Sequence, residues 1–495
     1  MFVFQENELG RILDIVITNM TPQRSASQKP VPANIIFLSA RYAYYHANHD
    51  LLAKLLITAM HKINDVVESH QWDMTILAFW MSNATLLLHY LKKDVGLSTS
   101  TSEFQLQLAE LINEIFILIT RDAERRMDKV LGPALLDHET IPGFEDIAFQ
   151  DEWKIFKRKS HVKDEPLEKR LRPPSPKQRA KPAPRNVTSL LSSTLFVVDL
   201  YDIHSVIISQ ILAQLFYWLG AELFNRIMSN RKYLARTKAM QIRMNISVLE
   251  DWALSNNRQP GHYENGSMSS SGETTIDAAR RHLGPVIQLL KWLQCFSSLG
   301  QDDLESLVST LQQLKRLIPQ QLIHAARHYR PEVGEKGLPK SAMKYLTNLQ
   351  RESSWRKKER RRVAATPPRP LSGDQTSPSS IDGGSNRQVQ DSPQSKHKPE
   401  IPDTRQPPTA DELLPEEDDT PENLLLDPAL MLPFTLPTSV DMLVSYGAGF
   451  GGVNRERERK YIPTVPPEFL AKLDLSPGRR SVSSFADRDW ENEDS

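Results

Sequence analysis

Apolar residues recur at three- and four-residue steps through most of the chain. Between Asp73 and Lys93, Leu77, Trp80, Ala84, Leu87 and Leu91 share one stripe, which predicts an amphipathic helix. Asp73 suits its start, Lys92 and Lys93 suit the negative end of the helix dipole, and Gly96 closes it. Similar stripes predict helices over Asp50–Glu68, on Leu52, Leu55, Leu56, Ala59, Ile63 and Val66, and over Glu103–Leu131, on Leu108, Leu111, Ile115, Leu118 and Ile119. The pattern stops between Ser160 and Arg185, where Lys, Arg and Pro dominate. It resumes at Ser189 and predicts helices over Ser193–Tyr217, Ala221–Met228, Lys238–Ser255, Thr275–Leu299, Gln301–Leu314, Pro319–His328 and Lys340–Arg351. Asn256–Glu273 is polar and reads as a loop. Helix is the dominant element throughout.

These shifts divide the chain into six stretches. Residues 1–158 and 188–355 read as two helical subdomains, 159–187 as a basic, Pro-rich disordered linker, and 356–422 as a disordered insertion. Residues 423–475 open on the apolar run LLLDPALMLPFTLP, whose prolines at 428, 433 and 437 exclude a continuous helix. This stretch is expected to lie extended against the helical body and to close it. Residues 476–495 read as a disordered tail.

Charge and cysteine content remove several function classes. The chain has 61 basic and 61 acidic residues, so no global field favours nucleic acid or an acidic membrane. Its one cysteine, Cys295, can form no internal disulfide and no Cys-based metal site, and it reads as a small apolar residue. The opening MFVFQENELG lacks the basic flank and apolar run of a secretory signal. The most apolar stretch, Leu195 to Phe224, is interrupted by Asp199, Asp202, His204, Gln210 and Gln214, which argues against a membrane span. The chain is expected to be cytoplasmic.

Specific residues carry the reading further. Phe79-Trp80-Met81-Ser82-Asn83 followed by Leu88-His89-Tyr90-Leu91-Lys92 resembles the FWLSN…LHxLK signature of the class V myosin globular tail, which contains the dilute (DIL) domain. Upstream, Pro32 to Phe37 and Arg41-Tyr42-Ala43 look like the PAYILFxxxRYA stretch of that family. Further on, Leu223-Phe224-Asn225 resembles SLFN, Leu249-Glu250-Asp251-Trp252 resembles LExW, and Leu424 to Pro428 with Leu432-Pro433-Phe434 resembles LLLDxxxxFPxxF. The matches keep family order over roughly residues 31–97 and 190–440. The resemblance implies an all-α, elongated, two-subdomain helical bundle of the globular-tail type, carrying disordered insertions. It also implies cargo or adaptor binding in vesicle and actin-related transport, at the periphery of vesicle or organelle membranes. Motor, IQ and coiled-coil sequences are absent from these 495 residues, so movement along actin is not implied. In style the chain is closest to fungal stand-alone or ankyrin-linked dilute-domain proteins.

Other stretches carry residue types that could do chemistry. Gly447-Ala448-Gly449-Phe450-Gly451-Gly452 fits GxGxxG, but neither a strand before it nor a helix after it is predicted, so it reads as a turn and not a nucleotide site. His46 and His49 share a helical face without a carboxylate pair, and His89 reads as a structural histidine. No catalytic residue, metal ligand or cofactor site is expected, and an enzyme is not expected. The strongest positive patch is Arg356, Lys357, Lys358, Arg360, Arg361 and Arg362, beside Trp355. It reads as a solvated helix end, or as a contact for anionic lipid or an acidic partner, or as a nuclear localisation signal; nucleic acid is not expected. Candidate phosphorylation sites are Ser175, Thr366, Ser377, Ser392, Thr420 and Ser476, each before proline, and Ser483 behind Arg479-Arg480. The alternative function is an afadin-type, membrane-proximal scaffold for small GTPases or cortical cytoskeleton, and a remote alternative is a nucleotide-binding enzyme using the glycine segment.

Overall fold

The computed structural model describes residues 2–142, 144, 147, 149–150, 182–264, 267–269, 272–299, 303–364, 423–446 and 461–473. Fifteen helices account for most of the described residues: α1 (Leu9–Leu13), α2 (Val31–His46), α3 (His49–Ser69), α4 (Met74–Lys93), α5 (Val95–Ser100), α6 (Ser102–Leu131), α7 (Pro184–Leu200), α8 (Ser205–Ser229), α9 (Arg236–Ser255), α10 (Thr275–Cys295), α11 (Leu304–Gln312), α12 (Pro319–Arg327), α13 (Lys340–Ala364), α14 (Ser439–Tyr446) and α15 (Pro467–Leu473). A short antiparallel hairpin pairs β1 (His262–Glu264) with β2 (Ser267–Ser269).

Local chemistry sets the ends. Asp73 accepts from the Thr75 and Ile76 amides at 2.9 and 3.4 Å, satisfying two of the four donors that the start of α4 leaves open. Asn48 caps α3 through Leu51 N at 2.7 Å, and Asp303 caps α11 through Ser306 N at 2.9 Å. Asp94 caps α5 through Gly96 and Leu97, and Arg41 holds it at 3.1 Å.

The apolar stripes bury against one another. α4 packs on α6, α8 most extensively on α10, and α9 on α10, while α6 also meets α7 and α8. Buried side chains from Phe4 to Phe469 form one continuous cluster, with Trp80, Trp292, Phe116 and Phe216 among its largest members. Gly220 in α8 lets the α10 backbone approach: a β-carbon there would lie 2.1 Å from the His282 carbonyl oxygen.

Several expectations change. The helix read as Ser193–Tyr217 is broken at Tyr201–His204, where Asp202 takes a φ of 53°, and the next helix runs through Gly220 to Ser229 without interruption. α7 starts at Pro184, which stands at a first-turn position where its missing N–H costs nothing, so the helix begins four residues before 188. α13 continues to Ala364, so the insertion expected from 356 begins as helix. The polar loop contains the β1–β2 hairpin. The closing stretch is extended only at first and then forms α14 and α15. α4 and α8 are each long and apolar enough to cross a membrane, contrary to the expectation for α8, yet 83% of the most apolar window of each is buried inside the bundle. They are core helices here.

Candidate functional site

The most distinctive surface feature is an extended strap, residues 423–438, laid along α8. Its burial alternates: Leu424, Leu426 and Pro428 turn inward while Asn423, Leu425 and Asp427 face solvent, and Phe434 and Leu436 alternate with Pro433 and Thr435. Apolar burial alone would leave the strap's backbone donors and acceptors open, and side chains of α8 answer them. Gln210, Gln214, Tyr217 and Asn225 share one helical face. The Asn225 amide accepts from Leu426 N at 2.9 Å and donates to Leu426 O at 2.8 Å. Tyr217 donates to Asp427 O at 2.7 Å. Gln214 donates to Leu430 O at 3.1 Å and accepts from Leu432 N at 2.9 Å. Gln210 repeats the arrangement at Thr435, at 2.8 and 2.7 Å. From α12, Gln321 reaches the Asn423 and Leu424 carbonyls at 3.4 and 3.2 Å. Three amide side chains thus pair with an extended backbone as a neighbouring strand would.

Two grooves flank the strap. One, of about 490 Å³, lies between α6 (Glu110, Asn113, Phe116, Ile117) and strap residues Met431 to Leu436; Phe116 stacks on Phe434 with ring centroids 4.5 Å apart. The other, of about 660 Å³, lies between the strap and α10. Beneath Gln214, burial pushes the Glu124 carboxyl up to about 7, opposed by a hydrogen bond from Gln214 and by Arg121.

A second docking point follows the strap. Asn34 donates to Thr464 O at 2.7 Å, and the Tyr90 hydroxyl lies 2.9 Å from Tyr461 O and 3.0 Å from Asn34 Oδ1. Burial pushes the Tyr90 phenol well above its ordinary value. Ser445 Oγ lies 2.8 Å from His204 Nε2, and the Tyr446 ring packs on His89 at 5.3 Å. Burial drives the His89 imidazole down to about 4, with Lys93 and His204 acting in the same direction.

The residues singled out in the sequence do not converge on one point. Phe79, Trp80, Leu88, Leu91, Leu223, Phe224 and Leu249 are core. Asn83 is buried and accepts from Ala33 N at 3.2 Å while donating to Lys29 O at 3.0 Å, which ties α4 to the open start of α2. Trp252 donates to Ser192 Oγ at 2.8 Å, and Glu250 pairs with Arg243 at 2.6 Å. Ser82 is half-buried and Lys92 exposed. Of these residues Asn225 hydrogen-bonds the strap. Cys295 is partly buried, and burial raises its thiol while Lys291 lowers it. His46 and His49 are exposed, and among the described residues no three His, Cys, Asp or Glu side chains gather as metal ligands. On α13, Trp355 is 65% exposed and Arg356 pairs with Glu352 at 2.9 Å. The seven candidate phosphorylation sites and the glycine segment at 447–452 lie outside the described residues. Gln210, Gln214 and Tyr217 were missed as a site; their signal was a polar stripe in an apolar helix.

Residues 210–333 match the DIL domain family model. The chain is 34% identical over 357 residues to a dilute domain-containing protein of Schizosaccharomyces pombe, a match covering 71% of this chain and 60% of that protein. A dilute domain-containing protein of Saccharomyces cerevisiae is 22% identical, over 72% of this chain and 53% of that one, so the chain spans little more than half the length of these curated relatives. Human unconventional myosin-Va is 24% identical over 62% of this chain and 16% of the myosin. Among solved structures, a myosin V cargo binding domain superposes with a TM-score of 0.51 at 15% identity, covering 70% of this chain and 84% of that one. The Myo2-GTD structure gives the same TM-score at 14% identity, covering 70% and 85%. Residues 210–333 therefore match the DIL domain family, and the chain is similar to fungal dilute domain-containing proteins and has the fold of the class V myosin globular tail.

Proposed function

We propose that the chain is a non-catalytic interaction module that binds cargo or organelle adaptors in the cytoplasm, at or near vesicle or organelle membranes. The observation that carries this reading is the α8 face, which already holds an extended segment through side-chain amides and leaves apolar grooves on both sides. Short partner segments are bound this way in groove recognition, where backbone bonds give affinity and flanking pockets give choice. The structural relatives support it: Myo2-GTD has been solved in complex with Mmr1 and in complex with Inp2. Both share only the fold with this chain, so the partner here follows from the groove chemistry and not from those names. The test is proximity labelling in cells with the full chain, followed by direct binding of the recovered proteins to the purified chain. Vesicle, organelle or cytoskeletal adaptors that bind directly are expected; the absence of any direct protein partner would overturn the reading.

A membrane-proximal scaffold is the second reading, and the exposed Trp355 beside the basic end of α13 favours it. Binding to phosphatidylserine vesicles that is lost in Arg356→Ala/Lys358→Ala would support that reading.

A further inference from the structure

Helix α13 is anchored through its first half. Ala342, Leu346 and Leu349 are buried and the helix packs on α12 and α11, whereas beyond Leu349 none of its described residues is buried. Between Arg351 and Arg362 the sequence sets seven basic residues against two carboxylates, Glu352 and Glu359. Glu352 is taken by Arg356 at 2.9 Å. Arg351 and Lys358 are exposed, and among the described residues neither meets a carboxylate. Between them lies Ser354, also exposed, whose hydroxyl donates to the Gln350 carbonyl at 2.8 Å. Helical spacing brings Arg351, three residues before, and Lys358, four residues after, onto the face of Ser354, with β-carbons about 5–6 Å away. Ser353 lacks this setting: it is half-buried, with Gln350 and Leu349 three and four residues before it.

We propose that Ser354 is a phosphorylation site, its phosphoryl group held by Arg351 and Lys358. A serine kinase that reads arginine three residues before its acceptor takes Arg351 as that residue, with the exposed Trp355 directly after the acceptor. In the transfer, Ser354 Oγ bonds to the γ-phosphorus of ATP, the bond to the β-phosphate oxygen breaks to release ADP, and the hydroxyl proton passes to the kinase's base. With no buried side chain to hold it, the second half of α13 opens locally at low cost and can enter a kinase cleft. The product loses the bond to Gln350 O, a carbonyl that helical geometry already pairs with the Ser354 amide. Its charge of about −1.5 to −2 at pH 7 supplies the anion that Arg351 and Lys358 lack, through charge-assisted bonds one turn away on each side. The same step weakens the attraction of this helix end for an anionic surface. The assignment is independent of adaptor and lipid binding.

The experiment incubates the full chain with Mg-ATP and the catalytic subunit of cyclic-AMP-dependent protein kinase, an arginine-directed enzyme, and maps phosphate by mass spectrometry. Phosphate at Ser354 is expected, forming several-fold more slowly in Arg351→Gln. Ser354→Ala then identifies the Ser354 signal in phosphorus NMR, since other serines of the chain also take phosphate. That phosphate should titrate with a midpoint below its ordinary value of about 6 and return toward it in Lys358→Gln. Hydrogen exchange of amides 350–358 should slow several-fold on phosphorylation of the wild type, and less in Lys358→Gln. All three substituted side chains are exposed, so the variants keep the fold. No phosphate at Ser354, or a phosphate whose titration and helix protection ignore Lys358→Gln, would overturn the proposal.

Discussion

Replacing Gln214 with leucine removes the central rung of the amide ladder. The side chain is fully buried and close to leucine in volume, so packing on α8 is largely kept. What disappears is the bond to Leu430 O at 3.1 Å and the bond from Leu432 N at 2.9 Å, together with the hydrogen bond to the Glu124 carboxyl beneath it. A hydrogen bond contributes about 0.5–1.5 kcal/mol net, and a buried group left without its partner costs about 1–3 kcal/mol. Leu430 is 49% exposed, so water can reach its carbonyl and the loss stays toward the lower end. The total is about 1–3 kcal/mol, equivalent to roughly 5–150-fold in the opening equilibrium of the strap. Hydrogen exchange followed by mass spectrometry reads that equilibrium directly over residues 423–438. Exchange there should accelerate by that factor, while amides in the middle of α4 keep their wild-type rates, because the strap opens as a separate unit. Gln210→Leu should do less, since its partner Thr435 is exposed and solvated when released. Unchanged strap exchange in Gln214→Leu, or equal acceleration in α4, would refute the reasoning.

Other substitutions probe the remaining links. His89, held down to about 4 from its ordinary 6.5, contributes stability that is complete above pH 6.5 and is lost as pH falls toward 4. By linkage this amounts to at most about 3 kcal/mol. Glu124, raised to about 7 from 4.5, contributes stability that is present below pH 4.5 and is lost as pH rises to 7. The two slopes oppose each other, so melting temperature should fall between pH 4.5 and 6.5 in His89→Gln and rise over the same range in Glu124→Gln. Gly220→Ala forces a β-carbon to 2.1 Å from the His282 carbonyl and should destabilise by about 1–3 kcal/mol in urea unfolding, whereas Gly10→Ala, with open space around it, should be neutral or slightly stabilising. Asn83→Ala removes the bonds to Ala33 N and Lys29 O and should cost about 1–3 kcal/mol by the same measurement, with no change in strap exchange.

Much of the helical framework was legible because its stabilisation is local and periodic. α3, α4 and α6 lie within a residue or two of their predicted bounds, since apolar stripes mark all three and an acidic cap, Asp73, also marks the start of α4. The break between α7 and α8 was not legible, because Asp202 adopts a left-handed conformation that nothing nearby in sequence requires. Nor was Gly220, which the pattern treats as a helix boundary and the structure uses as a crossing point. The role of Asn83 emerged only when α2 and α4 were placed side by side. The strap posed the hardest case. Its prolines correctly excluded helix, but the groups that hold it are some 200 residues away, as in the pairing of Asn225 with Leu426. Gln210 and Gln214 registered only as polar interruptions in an apolar run, and their common face became meaningful once the strap lay across it.

The surfaces beside the strap are the proposed seat of a protein partner. Hydrogen exchange on the full chain, with and without an adaptor recovered by proximity labelling, tests it most directly. Added protection is expected in α6 around Glu110–Ile117, in the outer face of α8, or in residues 423–438, with loss of that protection and of binding in Gln214→Leu/Asn225→Ala. Protection confined to surfaces remote from the strap, with affinity unchanged in that variant, would contradict it.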